Sequence, residues 1–143
     1  MSAQGLEVIE HTVHLTHEWV NDLTGRLGYT SRRSALRLMR VVLHRIRDHL
    51  QVNEVAQLSA QLPILIRGFF FEGWVPKRTP IKERKIEDFV AFVHIQMDRA
   101  EEYRGKDDIA CVFDLLNARI SRGEVEDLRS NLPADLRGIW PAP

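Results

Sequence analysis

The first helical segment of the chain concentrates side chains that could bind a metal ion. Glu10, His14 and Glu18 are spaced four residues apart, so a helix brings them onto one face. Imidazole and carboxylate groups are ligands for divalent metals. The neighbouring His11 and His17 turn toward other faces, so a further ligand would have to come from another helix. A solvated polar face is the alternative, and we favour it because the outer hydrogen-bond partners that orient metal ligands are missing.

Arginines dominate the next segment and could bind an anionic surface. Residues 26–50 hold seven arginines and one aspartate, a net charge of plus six. Such a helix could follow a phosphate backbone or bind an acidic protein. Residues 1–25 carry four acids and no lysine or arginine, and residues 101–125 carry six acids against four bases, so internal ion pairs can absorb the charge. We therefore expect surface ion pairing and consider nucleic-acid binding the less favoured alternative.

Four aromatic residues stand close together near the middle of the chain. Phe69, Phe70, Phe71 and Trp74 cannot all face one core from a single helical turn. Those that remain accessible would be anchors for a protein partner or a second copy of the chain. The alternative is that the loop folds back and buries them.

No catalytic template accompanies these clusters. The sequence has no glycine-rich phosphate loop, nucleophile elbow, metalloprotease helix or dinucleotide fingerprint. Because Cys111 is the one cysteine, an internal disulfide is excluded. It lies in an apolar helical stretch, which is typical of a buried and unreactive thiol. We expect a protein without enzymatic activity and without a cofactor.

Length and composition indicate the number of domains and the location of the protein. The chain has 143 residues, of which 44% are apolar, and its 28% of charged residues balance to a net charge of zero. This length and composition predict one domain spanning residues 1–143. The absence of a signal-like N-terminus, of a membrane-spanning run and of cysteine pairs predicts a cytoplasmic protein.

The periodicity of the apolar residues predicts an all-α fold. Apolar residues recur at helical spacing almost throughout, and no segment alternates as a half-buried strand does. We predict helices over residues 6–27, 31–50, 54–61, 63–70, 80–104 and 107–121, followed by further short helices. Thr30 or Ser31, Asn53 and Thr79 are the predicted N-caps, and Gly28 is the predicted stop of the first helix. Residues 72–80, with two prolines and a glycine, form the predicted connection between two halves.

An internal repeat organises these helices. Shifting the chain by seventy positions superimposes a Leu-Pro and Arg-Gly signature on itself, formed by Leu62, Pro63, Arg67 and Gly68 in the first copy and by Leu132, Pro133, Arg137 and Gly138 in the second. We predict a compact bundle of about eight helices, built from two units, approximately residues 1–76 and 77–143, that are related by a pseudo-twofold axis. The arginine of each signature is predicted to bond nearby carbonyls or a carboxylate where a short helix ends before its glycine.

This signature, together with the aromatic run after the first copy and Trp140 after the second, resembles the bacterial domain-of-unknown-function family 2267. The similarity covers roughly residues 15–140. The resemblance implies a small bacterial helical protein with no assigned activity, and it supplies no catalytic residues.

The sequence alone leaves the function unknown. Our leading hypothesis is a non-enzymatic helical interaction module that binds a protein partner, or forms a homodimer, near Phe69–Trp74. A metal-binding or small-ligand-binding protein that uses the histidine-rich first helix is the second hypothesis. Nucleic-acid binding through the arginine-rich helix is the third, and no membrane partner is expected.

Overall fold

The structure, a computed structural model, describes residues 5–143. This part of the chain contains eight α-helices and no strand. The all-α prediction is confirmed. The helices are α1 (Glu7–Leu27), α2 (Arg32–Asp48), α3 (Val52–Ala60), α4 (Ile64–Phe71), α5 (Ile86–Gln96), α6 (Lys106–Arg119), α7 (Arg122–Asn131) and α8 (Ala134–Arg137), and a single 3-10 turn covers Pro76–Arg78. None of the helices in this part of the chain is both long and apolar enough to cross a membrane.

Local signals set the ends of the first three helices. Gly28, with φ of 70°, closes α1 in the left-handed conformation that glycine adopts readily. The Ser31 hydroxyl accepts the Ser34 N–H at 3.0 Å and caps α2. The predicted cap of α3 at Asn53 is wrong, because the Glu54 carboxylate accepts the N–H of Gln51 at 2.8 Å and starts the helix at Val52.

The long helix predicted over residues 80–104, with Thr79 as its N-cap, is wrong. Only Ile86–Gln96 is helical, and the preceding residues are held by α2 instead. The N–H of Ile81 donates to the Asp48 carbonyl at 2.8 Å, which satisfies one of the carbonyls left open at the end of α2. Glu83 accepts hydrogen bonds from Arg45 at 2.6 Å and His49 at 2.9 Å. These tertiary bonds override the local helix-start signal.

The core is centred on α2, which contacts α1, α4, α5 and α6. Fully buried side chains follow one another along it, namely Ala35, Leu38, Met39, Val42, Leu43 and Ile46. Phe70, Phe89 and Phe113 fill the largest spaces around it. One cluster of buried residues runs through both predicted halves, so the two halves share a hydrophobic core.

Two of the four helix pairs repeat along the chain with the offset seen in the sequence, whereas α6 begins at Lys106, 74 positions after the start of α2 at Arg32. α3 begins at Val52 and α7 at Arg122, and α4 begins at Ile64 and α8 at Ala134, each pair seventy positions apart. α1 departs from this pattern: α5 begins at Ile86, seventy positions after Thr16, whereas α1 begins at Glu7. α1 therefore extends further toward its N-terminus than its counterpart. The twofold relation of the halves stays a prediction.

A buried carboxylate joins the α1–α2 turn to the start of α6. Asp108 is fully buried and accepts the Tyr29 hydroxyl at 2.7 Å. The Arg104 backbone N–H donates to the same carboxylate at 2.8 Å, and the Arg104 guanidinium donates to it and to the Leu27 carbonyl. Burial and the neighbouring carboxylate raise the pKa of Tyr29, so the phenol stays protonated and keeps donating.

Two histidines of the α2 region are held neutral. Burial lowers the pKa of His49 from its usual 6.5, although Glu83 opposes the shift. Burial likewise lowers the pKa of His44, whose Nε2–H donates to the Phe69 carbonyl at 2.6 Å. Both side chains therefore favour the uncharged imidazole in the folded state.

Removing the Tyr29 hydroxyl tests the buried carboxylate. We expect Tyr29→Phe to lower the free energy of unfolding by about 1.5–3 kcal/mol, because a bond to a charged acceptor is lost. Tyr103→Phe is the matched control, since the Tyr103 hydroxyl is buried without a partner among the described residues and its removal leaves stability unchanged or improved. Urea denaturation measures both variants. Equal losses for the two would contradict this role of Asp108.

The depressed histidine pKa values predict a pH dependence of stability. In the unfolded chain, His44 and His49 bind protons below about pH 6.5, whereas in the folded chain their lowered pKa values disfavour protonation. The free energy of unfolding therefore falls as the pH is lowered through this window. The double variant His44→Gln, His49→Gln removes this slope between pH 7 and 5.5 in urea titrations. A slope that persists in the double variant would contradict this origin of the pH dependence.

Candidate functional site

A concave apolar groove lies between α1, α2 and α4. Its volume is about 380 Å³, and most of its surface is aliphatic or aromatic. We call the α1 side chains that line it the floor of the groove and those of α2 and α4 its walls. The lining residues are Val13, Thr16, His17 and Val20 from α1, Arg32, Arg33 and Leu36 from α2, and Leu65 and Phe69 from α4.

Hydrogen bonds between the helices fix the shape of this groove. The N–H of Leu65, left open in the first turn of α4, donates to the Thr12 hydroxyl at 2.9 Å and ties α4 to α1. His44 ties the other end of α4 to α2 through the Phe69 carbonyl. The Glu102 carboxylate accepts the N–H groups of Thr30 and Ser31, which lowers the pKa of Glu102 and places its charge at the positive end of α2.

The expected pairing of the arginines on α2 holds for one end of the helix only. Arg40, Arg45 and Arg47 form ion pairs with Glu72, Glu83 and Asp48, at 2.6, 2.6 and 2.9 Å. They lie in the C-terminal half of the helix. Of these three pairs only Arg40–Glu72 lies on the surface as predicted, and the other two are largely enclosed by neighbouring residues.

At the groove end, the arginines of α2 lack carboxylate partners among the described residues. Arg32 donates to His17 Nδ1 at 2.9 Å. Arg33 makes no hydrogen bond or ion pair with residues 5–143. Arg37 donates to the backbone carbonyls of Gln96 and Asp98. This end of the groove is consequently positive.

The aromatic segment divides between core and surface. Phe70 is fully buried, which removes it from the predicted binding surface, because a side chain in the core cannot touch a partner. Phe69 lines the groove, and the Arg40 guanidinium lies over its ring at 5.0 Å. Phe71 and Trp74 are partly buried against each other and the core, with ring centroids 5.6 Å apart. Of the four aromatic residues, Phe69 is the one in the groove.

The N-terminal turns of α1 form a surface that the sequence analysis overlooked. Leu6, Ile9 and Val13 are spaced three and four residues apart, and they are 50%, 54% and 40% exposed. Val13 lies on the same side of α1 as the buried Val20, but it stays exposed because burial of α1 begins only at Thr16. The signal was present in the sequence as an apolar row that the second half of the chain lacks in residues 76–85.

The metal candidates on α1 are brought together only in part. His14 and Glu18 form an exposed pair at 3.2 Å. Within residues 5–143, no three histidine, cysteine, aspartate or glutamate side chains converge in a way that could hold a metal ion. Glu10, the third candidate, is exposed on the same helix. The geometry gives no support to a metal site there.

The Leu-Pro and Arg-Gly signature has a structural role in both halves. Arg67 donates to the carbonyls of Ser59 and Leu62 at 2.8 and 3.1 Å, and Arg137 donates to the Leu132 carbonyl at 3.3 Å. The predicted carbonyl contacts are confirmed. In each copy the arginine thus binds back across the proline to the end of the preceding helix.

The glycines of this signature behave differently from the prediction. Gly68 lies inside α4, which continues to Phe71, and does not end the helix. Gly138 closes α8 with φ of −66°, a conformation open to any residue. The helix around Gly68 continues because Phe70 is drawn into the core.

A family model for uncharacterized conserved proteins, DUF2267, matches residues 16–139 and so includes both copies of the signature. The chain belongs to this family. No curated protein matches the chain. The DUF2267 match begins at Thr16, so the groove walls lie within it and the exposed row of Leu6, Ile9 and Val13 lies before it.

The single thiol of this DUF2267 chain, Cys111, is partly buried. Burial, together with the nearby Asp108 charge, raises the pKa of Cys111 above its usual range. The thiol faces the Arg26 carbonyl at 3.6 Å. A raised pKa disfavours the nucleophilic thiolate, as expected from sequence, whereas the burial expected there is only partial.

The two signature arginines of the DUF2267 chain allow an internally matched test. Arg67→Ala removes two carbonyl contacts and is expected to lower the free energy of unfolding by about 2–3 kcal/mol. Arg137→Ala removes one longer contact at an exposed position and lowers it by about 1 kcal/mol or less. Thermal and urea unfolding of both variants measures the difference. A larger loss for Arg137→Ala would contradict the hydrogen bonding described above.

Proposed function

We propose that this chain is a protein-interaction module without enzymatic activity, and that its groove binds an amphipathic helix of a partner protein. The observation that carries the proposal is the groove itself, which combines an apolar floor and walls with two arginines at one end. Exposed apolar concavities of this kind mark binding surfaces, because leaving them in water is unfavourable.

The shape and backbone of the groove favour a helix as the bound element. Its floor and walls are themselves helices, so a further helix can pack side chains into the spaces between them. Binding by strand addition requires a free sheet edge, and residues 5–143 contain no strand. A row of aliphatic side chains on the partner would displace water from Val13, Leu36 and Leu65.

The charge at the groove predicts an acidic flank on that helix. Arg33 is exposed and unpaired with respect to the described residues, and Arg32 contacts only the imidazole of His17. Carboxylates beside the aliphatic row would pair with these guanidiniums and orient the bound helix. The exposed location makes this contribution sensitive to salt.

The groove that we propose as the binding surface differs in location from the surface near Phe69–Trp74 that we predicted from sequence. Phe69 belongs to both, and its ring is fixed beneath Arg40. Phe71 and Trp74 lie outside the groove lining, so we propose no direct contact for them. The aromatic run thus supplies one contact residue, while its other members hold α4 against the core.

A synthetic amphipathic helix tests the proposal directly. We expect a labelled peptide with a leucine row flanked by glutamates to bind the full chain in fluorescence polarisation, and the same peptide with lysines to bind at least about tenfold more weakly. Arg33→Glu removes this preference. Binding of the acidic peptide weakens as salt rises because the Debye length shortens to about 8 Å at physiological ionic strength.

A pair of exposed aliphatic residues supplies the matched variants. Leu65→Glu places a charge in the groove wall and should abolish binding, whereas Ile95→Glu places one on α5, away from the groove. Both side chains are exposed, so neither change should disturb the core. Equal binding by the two variants would show that the peptide binds elsewhere and would overturn the proposal.

A further inference from the structure

The floor of the groove continues without a break into the exposed N-terminal turns of α1. Thr16 and Val20 lie within the groove, Val13 lies at its edge, and Ile9 and Leu6 extend the same row outward. Residues 6–11 are all exposed. One apolar row therefore has an enclosed half, with walls from α2 and α4, and an open half that is a free helix surface. We call residues 6–13 the overhang.

The two halves of this row have opposite charge. Glu7 and Glu10 occupy the first turn of α1, and residues 1–25 contain no lysine or arginine. The enclosed half is bordered by Arg32 and Arg33. The overhang is thus itself an acidic amphipathic helix, the class of element that we propose as the occupant of the groove.

From these two observations we infer that a second copy of this chain occupies the groove. The inference rests on the proposed function and names the partner. Two α1 helices run antiparallel across a twofold axis at Val13, and the overhang of each copy lies in the groove of the other. Such an interface is isologous, with the same residues contributed by both copies.

The spacing along α1 fits this arrangement. Leu6 precedes Val13 by seven residues and Val20 follows it by seven. With a rise of about 1.5 Å per residue, each lies about 10 Å from the axis, so Leu6 of one copy meets Val20 of the other. Ile9 of one copy then lies level with His17 of the other, inside the groove. Glu7 is brought toward Arg33 of the second copy.

Dimerisation of the full chain is measured by analytical ultracentrifugation over a range of concentrations. We expect a monomer–dimer equilibrium that Ile9→Glu shifts to monomer. Ile95→Glu, which alters an equally exposed aliphatic residue on α5, leaves the dimer intact. A dimer that survives Ile9→Glu would place the interface elsewhere and overturn the inference.

Charge exchange and cross-linking test the antiparallel register. Arg33→Glu should weaken the dimer by roughly tenfold, and combining it with Glu7→Arg should restore most of that loss. In a Cys111→Ser background, Val13→Cys should form a disulfide-linked dimer upon mild oxidation, because the two positions face each other at the axis. Ile95→Cys in the same background should not. Failure of Val13→Cys to cross-link a dimeric sample contradicts the proposed axis.

Two variants separate this inference from the proposed function. Leu65→Glu should abolish both dimerisation and binding of the acidic peptide. Ile9→Glu should abolish only dimerisation, and its free groove should bind the peptide at least as tightly as the wild type does. A wild-type chain that is monomeric yet binds the peptide overturns the inference and leaves the groove function standing. A monomeric chain that binds no acidic peptide overturns both.

Discussion

The enclosure of α2 by its neighbours is the constraint on which the rest of the structure depends. Four helices contact it, and its apolar side chains form the middle of a core shared by both halves of the chain. Among the polar residues of α2, Arg33, Arg37, Arg40 and His44 are spaced so that they share one helical face. Arg47 falls inside the core, where Asp48 and the carbonyls of Phe70 and Glu72 bond its guanidinium.

The same enclosure explains where a binding surface remains. The C-terminal half of α2 is covered by α4, α5 and the segment that carries Glu83, and its arginines find carboxylates there. Its N-terminal half lines the groove together with α1 and α4, and the arginines there find no carboxylate among the described residues. The apolar surface of the groove and the unpaired positive charge beside it therefore both result from the way in which α2 is buried.

Much of the candidate site was visible in the sequence as separate parts. The arginine run and Phe69 were identified, yet their proximity was not, because it depends on α4 crossing α2 and α1. Which aromatic residue faces the groove was also hidden, since Phe69 and Phe70 differ by about 100° on a helix and only the position of the core decides between them. The exposure of Val13 was hidden for the same reason, because an apolar row does not reveal where neighbouring helices stop covering it.

The sequence by itself determined the helical class, the ends of α1 and α2, the seventy-residue offset of the signature and the carbonyl contacts of its arginines. These follow from periodicity and from bonds between residues close in the chain, which local chemistry specifies. Tertiary structure decided that residues 81–85 are irregular, that α1 extends beyond its neighbours, and which arginines stay unpaired. Those outcomes depend on whether a residue bonds to a near neighbour in the chain or to a partner from a distant part, such as Asp48 or Glu83. The distant bond can form only once the helices have packed, so the local sequence does not reveal which of the two is more stable.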